Sequence, residues 1–247
     1  MSKSRLDTHI TFGHQLILYV SFSVITITFL LLQDYDKDTE FKGNLIFFLT
    51  LIGSFVFLYA FSFTDIYQRK LGVHGAVLFF MQDLPIRKFI IYVPMGIGAS
   101  LLMSIVSQNL GLDATNSSLV SIAGAGTVMM IAFFLTKSIV VPILIHGAFN
   151  TLVIALRDGI LTSVGATNTL FPVPDVGITV GGFNQFATDA LIQFTLVAPA
   201  EEMMKMLVIF FVVLGIPNAK FSDGIAKYVG AFFALLIWTM FHAIIAV

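Results

Sequence analysis

The chain has 247 residues, of which 57% are hydrophobic and 11% charged, with a formal net charge of −1. A soluble domain carries about twice that charged fraction, and the mean hydropathy of +0.96 places the chain among polytopic membrane proteins, with no nucleic acid as a partner. Cysteine is absent, which excludes disulfides, thiolate catalysis and cysteine metal sites together.

The first residues, MSKSRLDTHITFGHQ, are polar and lead into an apolar stretch without a small-residue cleavage pattern. They read as the flank of a retained span, not as a signal peptide. Crossing the hydrocarbon takes about 20 apolar residues, and seven segments qualify: 15–33, 43–67, 88–106, 118–136, 138–156, 186–215 and 226–247. The expected fold class is therefore all-α, a transmembrane bundle of about seven spans. It forms one domain over 1–247, with spans one to three in 1–106 and spans four to seven in 118–247.

A shorter apolar piece, 75–81, followed by QDLPIRK, is too short to cross and reads as interfacial or re-entrant. Spans four and five meet at Thr136-Lys137-Ser138 and form a tight hairpin. The loop 157–185 is rich in glycine and proline yet apolar, which suits an ordered cap over the bundle. Asn116-Ser117-Ser118 is a glycosylation sequon on the expected outer face. Gly96, Gly98 and Ser100, and Ser121, Gly124 and Gly126, have the spacing of close helix contacts. The chain ends in or just past the last span without a polar tail, which reads as an incomplete C-terminus.

Of the 13 Lys and Arg, Lys205 alone lies deep within a span, away from its ends. Nine of the others (Lys3, Arg5, Arg69, Lys70, Arg87, Lys88, Lys137, Lys220 and Lys227) fall in one set of alternating loops, and three (Lys37, Lys42 and Arg157) in the other. The positive-inside rule then puts the N-terminus in the cytoplasm and the C-terminus outside.

Three spans carry ionisable groups at depth. The sixth reads LVAPAEEMMKMLVIFFVV and holds Glu201, Glu202 and Lys205; the chain's only other glutamate is Glu40. The fifth places His146 four residues before Asn150, and the seventh places His242 four residues after Trp238. Each i, i+4 pair shares a helix face. At 1.5 Å per residue, His146 lies about 14 Å beyond Lys137, and His242 about 22 Å beyond Lys227, so all three clusters can meet near mid-membrane. Pro199 cannot donate to the carbonyl of Thr195, so the helix should kink beside the glutamates.

A charged side chain at the centre of a span costs about 2.5–3.5 kcal/mol on insertion scales. Glu201 and Lys205 at i, i+4 can pair as plain structure. Glu202 lies about 100° further round the helix, and needs a proton or a partner such as His146 or His242. Asp189 and Gln193, further along the same span, either extend the polar stripe or mark the outer interface, and the interface is the favoured reading.

Glu-Glu-x-x-Lys on one span, aromatic-x-x-x-His on another and His-x-x-x-Asn on a third resemble the CAAX-processing and bacteriocin-maturation (CPBP) intramembrane proteases. LVAPAEEMMK is similar to that family's first motif, and TKSIVVPILIHGAFN to its last. Lys205 is closer to the PrsW-like proteases, because CPBP members usually carry Arg one position later, where this chain has Met206. Trp238 stands where the second motif usually has Phe. The order also departs, since the His-Asn helix here precedes the Glu-Glu helix, although the expected direction of each helix matches a circular permutation.

The resemblance implies hydrolysis of a membrane-embedded peptide without a cofactor or metal. Glu201 would be the general base, Glu202 or His242 would assist, His146 and Asn150 would stabilise the oxyanion, and Lys205 would offset carboxylate charge. A Glu/His/His set could also ligate zinc. Two further readings stand beside this one. One is a non-catalytic or degenerate subunit whose charged groups fix helix register among other membrane subunits. The other is a proton- or ion-coupled transporter, for which no internal repeat is seen.

Overall fold

The computed structural model of the chain describes residues 9–11, 13–15, 17, 82–158, 190–216 and 224–245. Expected spans one and two, the piece 75–81 and the loop 157–185 lie almost wholly outside these residues. The described residues are mostly helical: α1 (Ile86–Gln108), α2 (Ala114–Thr136), α3 (Val140–Asp158), α4 (Ala198–Gly215) and α5 (Gly224–Ile245). Against the all-α expectation there is one small ladder. Strand β1 (His9–Ile10) pairs antiparallel with β2 (Leu84–Pro85), with Ile10 opposite Leu84. The sequence gives no period-2 signal for it, because each strand is only two residues long.

Helix α1 begins at Ile86, directly after the strand, and carries a buried stripe of Gly96, Ser100, Ser104 and Ser107. These small residues let α2 and α3 pack closely against it. A methyl group at Gly96 would collide with Ile145 of α3, whereas Gly98 meets nothing within 4 Å and takes no part in the contact. At the start of α2, Asp113 caps the helix: its Oδ1 accepts from the Asn116 backbone N–H at 2.9 Å and its Oδ2 from the Asn116 side chain at 2.7 Å. The sequon asparagine is thus held in a helix cap.

Helix α2 ends where the sequence breaks, at Lys137, which takes a left-handed φ of 55° while its N–H closes the last turn on Phe133 O at 2.6 Å. Three residues later α3 begins. This connection is tied to the N-terminal segment by Gln15, which is 2% exposed. Ser138 Oγ donates to Gln15 Oε1 at 2.7 Å, and Gln15 Nε2 donates to the carbonyls of Ile10 and Gln82 at 3.3 and 3.2 Å.

The irregularity expected at Pro199 takes a specific form. Residues Gln193–Val197 make a π-helical turn, closed by the Ala198 N–H on the Gln193 carbonyl, and Pro199 sits in the first positions of α4. The proline's missing donor falls where the turn widens, so the bond it cannot make is not required there. The turn packs against α3, and α4 packs chiefly against α5. Gly147 permits the first contact, since a Cβ there would lie 2.5 Å from Phe194 Cδ1.

Two apolar clusters result. Met203, Met206, Ile209 and Phe210 of α4 pack with Phe133 of α2 and Ile143 of α3. Ala125, Met129, Val141 and Ile145 pack with Leu84 beneath α1. Within α1 and α2, Ile86–Gln108 and Asn116–Thr136 are long and apolar enough to cross a membrane. The outer faces of α1 and α5 are also apolar, with Met95, Leu102, Tyr228, Phe232 and Ile237 exposed.

The contact at Gly147 gives a differential test. Gly147→Ala should destabilise the protein by about 1–3 kcal/mol through overpacking against Phe194. Gly98→Ala, facing open space in a helix interior, should be neutral or stabilising by about 0.4–1 kcal/mol. Thermal unfolding in detergent, followed by circular dichroism, compares the two.

Candidate functional site

Four ionisable side chains from two helices converge between the apolar clusters. Glu201, Glu202 and Lys205 come from α4 and His146 from α3, with relative exposures of 7%, 0%, 2% and 6%. Polar groups removed this far from water need partners, and their partners are chiefly one another. Glu202 Oε1 accepts from Lys205 Nζ at 2.5 Å and from His146 Nδ1 at 2.7 Å. On the other edge of the imidazole, His146 Nε2 approaches Glu201 Oε2 at 3.1 Å. That approach is off-line for a hydrogen bond, and Oε2 of each glutamate has no hydrogen-bond partner among the described residues.

A carboxylate only accepts, so His146 gives its Nδ1–H to Glu202. The Nε2 to Oε2 approach then needs one proton between imidazole and carboxylate, or two lone pairs would face each other. With that proton, two carboxylates, one ammonium and the shared charge sum to zero. One proton on either of the two atoms would leave the cluster with no net charge.

This geometry corrects the expected pairing. Lys205 bonds Glu202 at i, i+3, and its contact is not with Glu201 at i, i+4. Both spacings are adjacent on a helix, and burial separates them. The single ammonium meets the carboxylate with no exposure, where an unpaired charge would cost most. Glu202, which had no plain structural explanation in the sequence, is the best-held residue of the set. Glu201 is the less satisfied one.

The aromatic residue of the aromatic-x-x-x-His motif has a role that its position did not reveal. Lys205 Nζ lies over the Trp238 ring, 5.0 Å from its centroid, and the ring stands edge-on to His146 at 6.3 Å. Trp238 is thus a wall of the site and a cation–π partner. Met129 of α2 closes another side, with Sδ 4.0 Å from Nζ. No motif spacing could have pointed to it, because the contact is purely tertiary.

His242 meets Trp238 edge-on, with centroids 4.1 Å apart and an interplanar angle of 62°, and its Nδ1 lies 3.1 Å from the Trp238 carbonyl. It joins the cluster through that ring. Asn150, one turn along α3 from His146, donates its Nδ2 to Gln193 Oε1 at 2.9 Å. Gln193 is thus joined to Asn150 and extends the polar stripe of the helix, whereas Asp189 lies outside the described residues. Among the described residues no three side chains are placed to hold a metal ion.

Comparison with models of protein families, with curated proteins and with solved structures finds no match to this chain.

The cluster makes a sharp stability prediction. Lys205→Met leaves Glu202 buried without its cation and should cost about 3–5 kcal/mol. Adding Glu202→Gln should recover much of that loss, so the double variant is more stable than Lys205→Met alone. Unfolding of Lys205→Met, Glu202→Gln and the double variant in a mixed-detergent titration measures the difference, and additive losses would refute the pairing.

Proposed function

We propose that this chain is a multi-pass membrane protein carrying an intramembrane glutamate-type hydrolytic site for a membrane-embedded peptide segment. The single observation that carries the reading is the Glu201–His146 dyad at 3.1 Å, buried and backed on its far edge by Glu202 and Lys205. An imidazole oriented by one carboxylate and presented to a second group is the arrangement that general acid–base catalysis requires. The helices Ile86–Gln108 and Asn116–Thr136, with the composition of the whole chain, support the membrane setting. We read seven spans in all, with the N-terminus cytoplasmic and the C-terminus outside.

In this reading the shared proton must first rest on one partner, leaving the other free as base. Water gives a proton to the dyad as its oxygen attacks the peptide carbonyl carbon. The same proton is then returned to the amine as the C–N bond breaks. Asn150 Nδ2 keeps a second N–H beyond the one given to Gln193, and it is the oxyanion donor. Glu202 and Lys205 orient His146, and His242 is a positioning residue acting through Trp238. The resemblance to CPBP proteases is consistent with these roles, with the order of motifs permuted.

One observation favours a second reading, a non-catalytic subunit of a membrane complex. The four ionisable side chains are buried and contact chiefly one another, as in a register-fixing clamp. In that case Glu201→Gln should leave both fold and assembly intact and change no reaction.

The hydrolytic reading predicts that Glu201→Gln and His146→Phe each lower cleavage of a membrane-anchored reporter by about 10²–10⁴-fold, the range of one acid–base group. Glu201→Gln, which leaves the Nδ1 edge of His146 on Glu202, should retain the helical circular-dichroism spectrum. Reporter cleavage in proteoliposomes, with full activity retained in Glu201→Gln, would overturn it.

A further inference from the structure

The π turn has a geometric consequence for Gln193. Eight residues separate Gln193 from Glu201, and eight α-helical steps of about 100° would leave the two side chains about 80° apart in azimuth. A π turn inserts one residue without advancing the helix, which removes about 100°. The remaining offset is about 20°, so Gln193 faces α3 on the same side as Glu201 only because of this turn. The turn is held against α3 by Phe194 on Gly147 and by the Asn150–Gln193 hydrogen bond.

That hydrogen bond is single. Asn150 Nδ2 donates to Gln193 Oε1 at 2.9 Å, and the reciprocal bond that would close an amide–amide ring is not made. Asn150 Oδ1 and Gln193 Nε2 thus have no partner among the described residues, and both side chains are half-buried, not sealed. One carboxamide offers an acceptor and the other a donor, one helical turn from His146. The complement of that set is the backbone of an extended chain, whose N–H would serve Asn150 and whose C=O would serve Gln193.

We propose that the Asn150–Gln193 carboxamide pair is a subsite that binds the backbone amide of an extended peptide segment and sets its register against Glu201 and His146. In it Gln193 both meets the segment's C=O and fixes which way the Asn150 amide faces. The proposal rests on the reading that the site accepts a peptide, and it is tested by binding alone, so a protein that binds selectively but cleaves nothing separates the two.

The probe is acetyl-leucyl-leucine N-methylamide, compared with its depsipeptide analogue in which an ester oxygen replaces the central N–H. Trp238 is the chain's single tryptophan and stands 6.3 Å from His146, so its fluorescence in the full chain in detergent micelles reports occupancy. The amide should give a saturable change and bind about fivefold to tenfold more tightly than the ester, the range of one net hydrogen bond. Gln193→Met should weaken the amide and bring the amide-to-ester ratio close to one. Equal affinities in the natural chain, preference for the ester (as a lipid ligand would give), no saturable change, or an unaltered ratio in folded Gln193→Met would each overturn the proposal. If Gln193→Met does not fold, the ratio in the natural chain decides.

Discussion

Everything in the described structure accommodates one buried ammonium. Lys205 is 2% exposed within an apolar helix pair, and an uncompensated charge in that position would cost several kcal/mol. Its own helix supplies Glu202 three residues earlier, α5 supplies the face of Trp238, and α2 supplies Met129. Once Lys205 and Glu202 are fixed, the carboxylate has an oxygen directed at α3, and His146 meets it. Four helices are thereby registered against one another by a single charge and its partners. The apolar clusters on either side tolerate many alternative packings, while the cluster does not.

Close helix approach is the other requirement, and small residues meet it where the charges need it. Gly147 is the residue after His146, and Phe194 packs on it from the π turn. A larger residue would push the turn away from α3 and separate Asn150 from Gln193. The π turn is thus the local feature through which two helices present polar groups to each other twice, at Glu201 with His146 and at Gln193 with Asn150. Single π turns in α-helices recur at functional sites for this reason, because an added residue re-aims everything on its N-terminal side.

These two features differ in how far the sequence discloses them. The helices were legible, because apolar length and the break at Lys137 are properties of contiguous residues. The ionisable set was legible too, since a glutamate or histidine in an apolar run stands out against its surroundings. Pairing within the set was not. Positions i+3 and i+4 are both neighbours on a helix, and the choice between Glu201 and Glu202 depends on which is less exposed, a tertiary quantity. The contact of Gln193 with Asn150 was not legible, because an α-helical wheel puts Gln193 off the face of Glu201, and the π turn that restores it leaves no mark on composition beyond Pro199. The pairing of residues 9–10 with 84–85 depends on chain segments far apart in sequence and too short to show a period.

Structure and chemistry are separated on the two edges of one imidazole. The Nδ1 edge makes a 2.7 Å hydrogen bond to the carboxylate that also holds Lys205, and that edge is required for the fold. The Nε2 edge lies 3.1 Å from Glu201 and off-line, a contact loose enough to open without disturbing Lys205. Glu201 is also the more exposed of the two glutamates, 7% against 0%. A site that must hold buried charge and still move a proton needs this asymmetry. If both contacts were equally tight, the proton would be locked and the cluster would be only a clamp. If both were loose, Lys205 would lose its partner and the helices their register. Under the proposed hydrolytic reading, the placement of the looser contact at Glu201 makes this glutamate, and not Glu202, the residue through which a substrate would be met.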